Sequence, residues 1–502
     1  VAVAAAVAGA GDGRRTGRGT GRRGRDESGE RAGQAEEVRH MTDAEHTADA
    51  REMDAGDRDE ADVNAEDLDV NVNAQDIGAV NAEGAEDVNL DVDAEHVDVN
   101  VNAEGAEDVD VVVAGGGIAG LAGAYALATA GDGLRVRVLE RAPDFTEIGA
   151  GLQLAPNATR VLRRWGLLDE VVGLGVLPRR LVFRDMLDGT ELTRLDLDDR
   201  FEARYGAPYV LIHRSDLLQV LVTACERAGV DLVPDHDVRS VRTEGDRAVV
   251  HAAGARTLHR AQVALAADGL RSRLRSRISD DEPVPSGYAA YRGAFPVAEV
   301  ADRLGEDALR DVVVHIGPGC HLVQYPLRAG EIFNTVAVFA SPAFRRGESE
   351  WGGPDELDAV FAGACEGAQR GVKSLWRDRR WPMYDREPIP EWTAGRLALT
   401  GDAAHPMLQY LAQGACQALE DAACLAAETV RHRAPGGGCD WPRALRSYEA
   451  ARTVRTAEVQ SAARAWGETW HVDGFARTLR NTLFRDRDPA DFRHIDWLYG
   501  AQ

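Results

Sequence analysis

His321 and Tyr325 stand four residues apart in the strand-like run Cys320–Leu327. Side chains alternate along a strand, so both project from one face with Val323 between them, their Cα atoms about 13 Å apart at roughly 3.3 Å per residue. Leaning inward, an imidazole and a phenol so placed can meet a single aromatic ring. An imidazole titrating at about 6.5 draws on a phenolic proton titrating at about 10 strongly only as a transition state develops. The same two residues would equally suit a core in which each is satisfied internally. A second constellation follows the short apolar stretch 396–400, where Gly401 and Asp402 put an acid able to bind hydroxyls at a strand end. A small-residue loop carrying Gln409 then leads to a helix starting near Gly414 and Ala415. The free N–H groups of a helix start face anions. A reduced flavin needs both features, for its ribityl chain and for the N1–C2=O edge that takes negative charge. An ordinary strand–loop–helix has the same outline, so this stretch alone leaves both readings open.

The elements that position such groups begin upstream. Val111, Val112 and Val113 form a buried-strand run, followed by Gly115-Gly116-Gly117-Ile118-Ala119-Gly120, a helical stretch over 121–129, and a strand over 134–139. That strand ends in Glu140, twenty residues after Gly120. This strand–GxGxxG–helix–strand–acid order is a dinucleotide-binding fingerprint. Gly115 serves the tight turn, Gly117 the approach of a pyrophosphate to the helix N-terminus, and Gly120 close helix–strand packing. Glu140 is placed to accept from the adenosine ribose, with Arg141 beside it a further cofactor candidate. The strand 261–266 runs into Asp268-Gly269, a second acid-plus-glycine at a strand end, which reads as backbone passing the same cofactor again. The small-residue loop 149–153 brings Gln153 as another candidate. Arg214 opens a further helix, with Ser215 its expected N-cap, and faces either cofactor or solvent.

The 502 residues leave room for two or three domains. The formal charge of −25 is unevenly placed: residues 1–108 hold 10 basic against 29 acidic side chains, and residues 109–502 hold 48 against 54. The body is thus only mildly acidic and lacks the basic stripe of a nucleic-acid binder. Lys373 is the only lysine, so arginine here reflects compositional bias as well as chemistry. The six cysteines form no CxxC pair, and no His/carboxylate cluster has ligand spacing, so reduced thiols and no metal are expected. No apolar run is long enough for a transmembrane helix, and the apolar start 1–8 has its arginines after it, the wrong order for a secretory signal. A cytoplasmic protein is expected.

Residues 1–108 read as a disordered acidic low-complexity extension. VNAEGAEDV recurs at 80–88 and 101–109, but the units carry too few large apolar side chains to build a core. Beyond it the expected fold class is α/β. A Rossmann-like dinucleotide domain takes 109–182, 209–280 and 390–430, and an inserted, mostly antiparallel β-sheet substrate domain takes 183–208 and 281–389. A C-terminal helical segment takes 431–502. Strand-like runs at 287–295, 311–316, 320–327 and 331–339, separated by turn residues, carry the sheet domain. Ala158, Val161, Leu162, Trp165 and Leu168 recur at helical spacing. Trp466, Trp470 and Trp497 are expected to pack against the body, with no chemistry assigned to that segment.

In their order, the motifs at 115–120, Asp268-Gly269 and Gly401-Asp402 resemble the single-component flavoprotein aromatic hydroxylases, the class A monooxygenases, across essentially all of 109–502. The resemblance implies one FAD-binding domain, a substrate sheet domain, no separate nicotinamide domain, and NADH or NADPH with O2 as co-substrates. Within the family, 281–293 (DEPVPSGYAAYRG), 316–328 (IGPGCHLVQYPLR), 381–388 (WPMYDREP) and 401–415 are similar to the 3-hydroxybenzoate 6-hydroxylases. That likeness implies para-hydroxylation of 3-hydroxybenzoate to 2,5-dihydroxybenzoate, with His321, Tyr325 and Gln409 around the phenolic hydroxyl, and leaves a homodimer open. Salicylate hydroxylases share much of the 401–415 loop, so a salicylate 1-hydroxylase forming catechol is the alternative. A non-catalytic flavin redox sensor is a remoter one. The carboxylate's partner is not identified; Arg292 is one arginine among many.

Overall fold

Apolar runs without polar alternation build the centre of a parallel sheet, as expected of strands buried on both faces. Val109–Ala114 lies between His259–Ala266 and Val136–Leu139 and pairs in parallel with both. Leu397–Leu399 extends the sheet beyond His259–Ala266, and Asp231–Val233 beyond Val136–Leu139. The structure, a computed structural model, describes residues 108–500 except 132, 147–149, 254–257, 306 and 435–436. The expected N-terminal extension, but for Asp108, lies outside the described residues.

The register aligns Ala114 with both Leu139 and Ala266, and Ala266 with Leu399. The strands run the same way, so the residues that follow them (Gly115, Glu140, Asp268 and Asp402) emerge at one edge. Convergence of the distant motifs is thus a consequence of strand direction. The helix Ile118–Thr129 leaves that edge and packs back on the sheet. A Cβ at Gly120 would lie 1.9 Å from the Gly115 carbonyl oxygen, so only glycine allows this approach.

A second sheet has seven strands in the order Trp381–Asp385, Val284–Pro296, Ile332–Ala340, Cys320–Leu327, Asp311–Gly317, Arg180–Asp185 and Glu191–Asp196. All neighbours are antiparallel except Asp311–Gly317 with Arg180–Asp185. This is the mixed α/β architecture expected from the sequence. Local expectations differ in three places. The helical pattern over 158–168 is two helices, Pro156–Arg164 and Leu168–Leu174, parted at Gly166, whose φ is +73°. Of the loop 149–153, residues 151–153 belong to the strand Gly151–Leu154, paired with Val210–His213. Ser215 is not an N-cap: the helix starts at Arg214, and the Ser215 hydroxyl bonds His213 Nδ1 at 2.7 Å instead.

The C-terminal helices close over the second sheet. Phe183 of that sheet meets Trp466 and Trp470 of the thirty-residue helix Trp441–Trp470 edge-on, at centroid distances of 5.9 and 5.6 Å. In the next helix, Arg477 and Asn481 hold the buried carboxylate of Asp185. Among the described residues no helix is long and apolar enough to cross a membrane. Gly120→Ala is expected to prise the first helix from the sheet and cost about 1–3 kcal/mol as overpacking does. Thermal denaturation beside Gly123→Ala, which meets only the Leu265 side chain at 2.9 Å, checks this: equal melting points would refute it.

Candidate active site

The carboxyl edge of the parallel sheet and one face of the second sheet enclose a cavity of about 1170 Å³. Gly115, Gly117, Glu140 and Arg141 line one part of it; Gln153, Arg214, Asp268 and Gly269 follow, then Asp402, Gln409, Gly414 and Ala415. Gly120 and Gly401 do not line it. Gly120 seats the helix behind the glycine loop, and Gly401 donates its N–H to Asp421 at 3.0 Å. Glu140 has a task the sequence did not disclose: its carboxylate accepts the N–H of Gly116 at 2.6 Å and of Ala142 at 2.9 Å. Each oxygen keeps a lone pair for a ribose hydroxyl.

These residues fit FAD. Two helix starts, at Ile118 and Gly414, border the same cavity, and the first N–H groups of a helix have no acceptor within it. A Cβ at Gly117 would meet nothing within 4 Å, so the glycine loop stands open where a pyrophosphate would lie. Glu140 and Asp402 would take hydroxyls of the ribose and the ribityl chain. The loop that carries Asp402 is fixed from behind by Asp421. Burial pushes this carboxyl up, but His405 (Nε2 at 2.6 Å) and Arg452 (Nε at 2.7 Å) outweigh it and hold it at about 2.

The floor of the other end is a row across the second sheet. Arg292 is in register with Val336, Val336 with Val323, Val323 with Val314, and Val314 with Phe183, and all five line the cavity. His321 and Tyr325 flank Val323 on its strand. Gly151 lies so close to Tyr325 that a Cβ there would be 2.4 Å from the ring. Burial raises the Tyr325 phenol well above its ordinary pKa, so it stays protonated. Arg292 donates to Gln409 Oε1 at 3.3 Å and stacks over Trp381. Burial lowers its pKa, its Nε is buried without a hydrogen-bond partner, and among the described residues no carboxylate pairs with it.

His321 is 1% exposed and is bonded at Nδ1 to Nε2 of His471, 2.9 Å away, with the rings stacked at 20°. Burial, then His471, pushes the His321 pKa well below 6.5; burial, then Arg480, pushes His471 down to about 3. Both rings are neutral near pH 7. The C-terminal segment therefore does enter the site, contrary to expectation: Trp466 and Trp470 line the cavity and His471 holds His321. No spacing pattern joins residues 150 positions apart, and Arg292 was hidden by the abundance of arginine.

One dinucleotide-sized groove continuing into a pocket floored by valines is the arrangement of a single-component flavoprotein hydroxylase. The family described as "FAD binding domain" matches residues 108–463, and the chain belongs to it; it is an FAD-dependent monooxygenase. It is 37% identical to a 3-hydroxybenzoate 6-hydroxylase of Polaromonas naphthalenivorans (strain CJ2) over 78% of this chain and 96% of that protein. It is 39% identical to a 3-amino-4-hydroxybenzoate 2-monooxygenase of Streptomyces cremeus, over 78% and 95%. Among solved structures, Klebsiella pneumoniae HpxO complexed with FAD and uric acid has a TM-score of 0.67 at 25% identity, covering 80% of this chain and 99% of that one. A salicylate hydroxylase substrate complex has a TM-score of 0.64 at 25% identity, covering 79% and 96%.

Asp421→Asn breaks a buried ion pair and is expected to cost about 3–5 kcal/mol and to loosen FAD, read by denaturant unfolding and by flavin absorbance of the purified protein. The neutral histidine pair sets an acid limit. An unfolded histidine titrates at about 6.5 while the folded rings resist protonation, so the unfolded state binds more protons below that pH. Stability should fall as pH drops through about 6.5 towards 3, and His471→Phe should flatten that fall; denaturation midpoints at pH 7 and 5 test it.

Proposed function

We propose that the enzyme hydroxylates 3-hydroxybenzoate para to its phenol, forming 2,5-dihydroxybenzoate (gentisate) at the expense of NAD(P)H and O2. The observation that supports this most directly is Arg292: a half-buried cation, without a carboxylate partner among the described residues, at the end of an apolar floor flanked by His321 and Tyr325. A ring bearing one phenol and one carboxylate finds there a base, a hydrogen-bond donor and a counter-charge. The hydroxybenzoates in the names of the curated relatives support the same substrate class.

A neutral phenol is a poor nucleophile. Passing its proton to Nε2 of His321, the ring nitrogen that His471 leaves free, raises electron density ortho and para to the oxygen. Tyr325, which keeps its own proton, donates to that oxygen. Gln409, whose carbonyl faces Arg292, donates from its amide nitrogen. Arg292 anchors the carboxylate and so orients the ring. Bound FAD, once reduced, supplies the activated oxygen, and the helix start at Gly414 and Ala415 favours its negative charge.

Aerobic NAD(P)H consumption across 3-hydroxybenzoate, salicylate and 3-amino-4-hydroxybenzoate, with products identified, tests the reading. Gentisate from the first is expected, and catechol from salicylate as the main product would overturn it. His321→Ala should lower hydroxylation by about 10²–10⁴-fold and divert NAD(P)H to hydrogen peroxide while FAD stays bound; coupled turnover would remove His321 from the mechanism. Arg292→Leu should raise KM for 3-hydroxybenzoate roughly 10- to 100-fold, the worth of a charged hydrogen bond. An unchanged KM would free Arg292 of the carboxylate.

A further inference from the structure

Arg292 enters the pocket from the strand Val284–Pro296, and the strand beside it, Trp381–Asp385, is the edge of the second sheet. Trp381 is in antiparallel register with Ala290, two residues before Arg292. Residues two apart on a strand share a face, as do cross-strand partners, so Trp381 and Arg292 are diagonal neighbours on one face. The guanidinium carbon of Arg292 lies 5.7 Å from the centroid of the Trp381 ring, within reach of a cation–π contact. The exposed Arg379 lies over the same ring at 5.2 Å and adds a second contact that restrains the indole. Arg292 lines the cavity and Trp381 does not.

We infer that Trp381 is a positioning residue for anion recognition: its ring restrains the charge of Arg292 without an acceptor atom, and so leaves the N–H donors to the substrate's carboxylate. This rests on the role given to Arg292 above. A guanidinium has five N–H donors and no acceptor, and an indole has one donor and no lone-pair acceptor. Among the described residues the Arg292 guanidinium makes one hydrogen bond, from Nη2 to Gln409 Oε1, and its Nε is buried without a partner. A carboxylate in place of the indole would pair with the guanidinium through two parallel bonds and occupy donors that a bound acid needs. The π face attracts the same charge and accepts no such pair.

Other inward arginines of this chain are held in the opposite way. Asp281 pairs with Arg275, and Asp185 with Arg477. Such a pair is complete in itself, and an acid from solution would have to displace the partner. Asp385, on the strand of Trp381, is engaged by Arg464, and Glu350 by Arg380, so neither serves Arg292. A ring attracts a cation less strongly than a bidentate carboxylate does, which restrains the arginine yet lets a ligand's carboxylate take it.

The test uses the full-length, FAD-loaded enzyme, titrated by flavin absorbance with 3-hydroxybenzoate and with its neutral analogue 3-hydroxybenzamide. The ratio of the two affinities reads anion recognition separately from the shape of the pocket. Trp381→Leu should lower that ratio roughly 5- to 30-fold, as for loss of a desolvated cation–π contact. Trp381→Phe, which keeps a ring, should stay within about threefold of wild type. Trp381→Met, large and ring-free, repeats the comparison if the leucine variant does not fold. In an Arg292→Leu background, Trp381→Leu should move the ratio less than about twofold, as for two residues acting as one. A merely structural role would lower both affinities together. A ratio unmoved by loss of the ring, or a phenylalanine variant no better than leucine, overturns the inference. If Arg292→Leu removes the preference for the acid and Trp381→Leu keeps it, the inference alone fails. If Arg292→Leu keeps the preference, the carboxylate's assignment to Arg292 fails, and the role of Trp381 with it.

Discussion

Parallel pairing is the constraint on which the rest depends. Once Val109–Ala114 hydrogen-bonds in parallel to its neighbours on both sides, the chain must leave every strand at one edge. Residues from three remote stretches then stand side by side without further instruction. The helix that returns from that edge sits close only because position 120 has no side chain. The loop from Gly401 to Gly414 is held from behind, by a buried aspartate whose burial penalty is exceeded by a histidine and an arginine. The groove where FAD would lie thus combines backbone and small residues with a few polar side chains such as Glu140 and Asp402, and its loop is stiffened from behind by Asp421.

The substrate face obeys different rules. In the antiparallel sheet one row of residues in register supplies a level apolar floor, and alternation along the strand puts two polar side chains beside it. The closing wall comes from elsewhere: a long helix whose tryptophans meet Phe183 and whose C-cap is a histidine. His321 and His471 are neutral, Tyr325 keeps its proton, and no carboxylate among the described residues pairs with Arg292. In such surroundings an unpaired charge is strongly felt.

Much of this was legible in the chain. Valine runs, glycines at fixed offsets and acids at strand ends are local signals, so the glycine loop, Glu140, Asp268 and Asp402 were all placed. Period-two alternation put His321 and Tyr325 on one face. What was not legible was long-range or masked. His471 is met only because the C-terminal helix folds over the sheet, and its identity as a helix cap carries no mark of its own. Arg292 was indistinct among the other arginines until its lack of a carboxylate partner set it apart. The loop reading of residues 151–153 failed for a related reason: Gly151 suits a strand that must lie flat against a tyrosine ring, and that ring belongs to a residue far along the chain.

That contact has a consequence for how the two halves of the pocket communicate. The strand Gly151–Leu154 borders the cofactor groove through Gln153, and its first residue is pressed on Tyr325 and tied through its N–H to Asn334. A rigid element shared by two binding regions cannot yield to one occupant without being felt by the other. Reciprocity then requires that whatever factor the aromatic acid applies to the grip on the dinucleotide, the dinucleotide applies in equal measure to the grip on the acid.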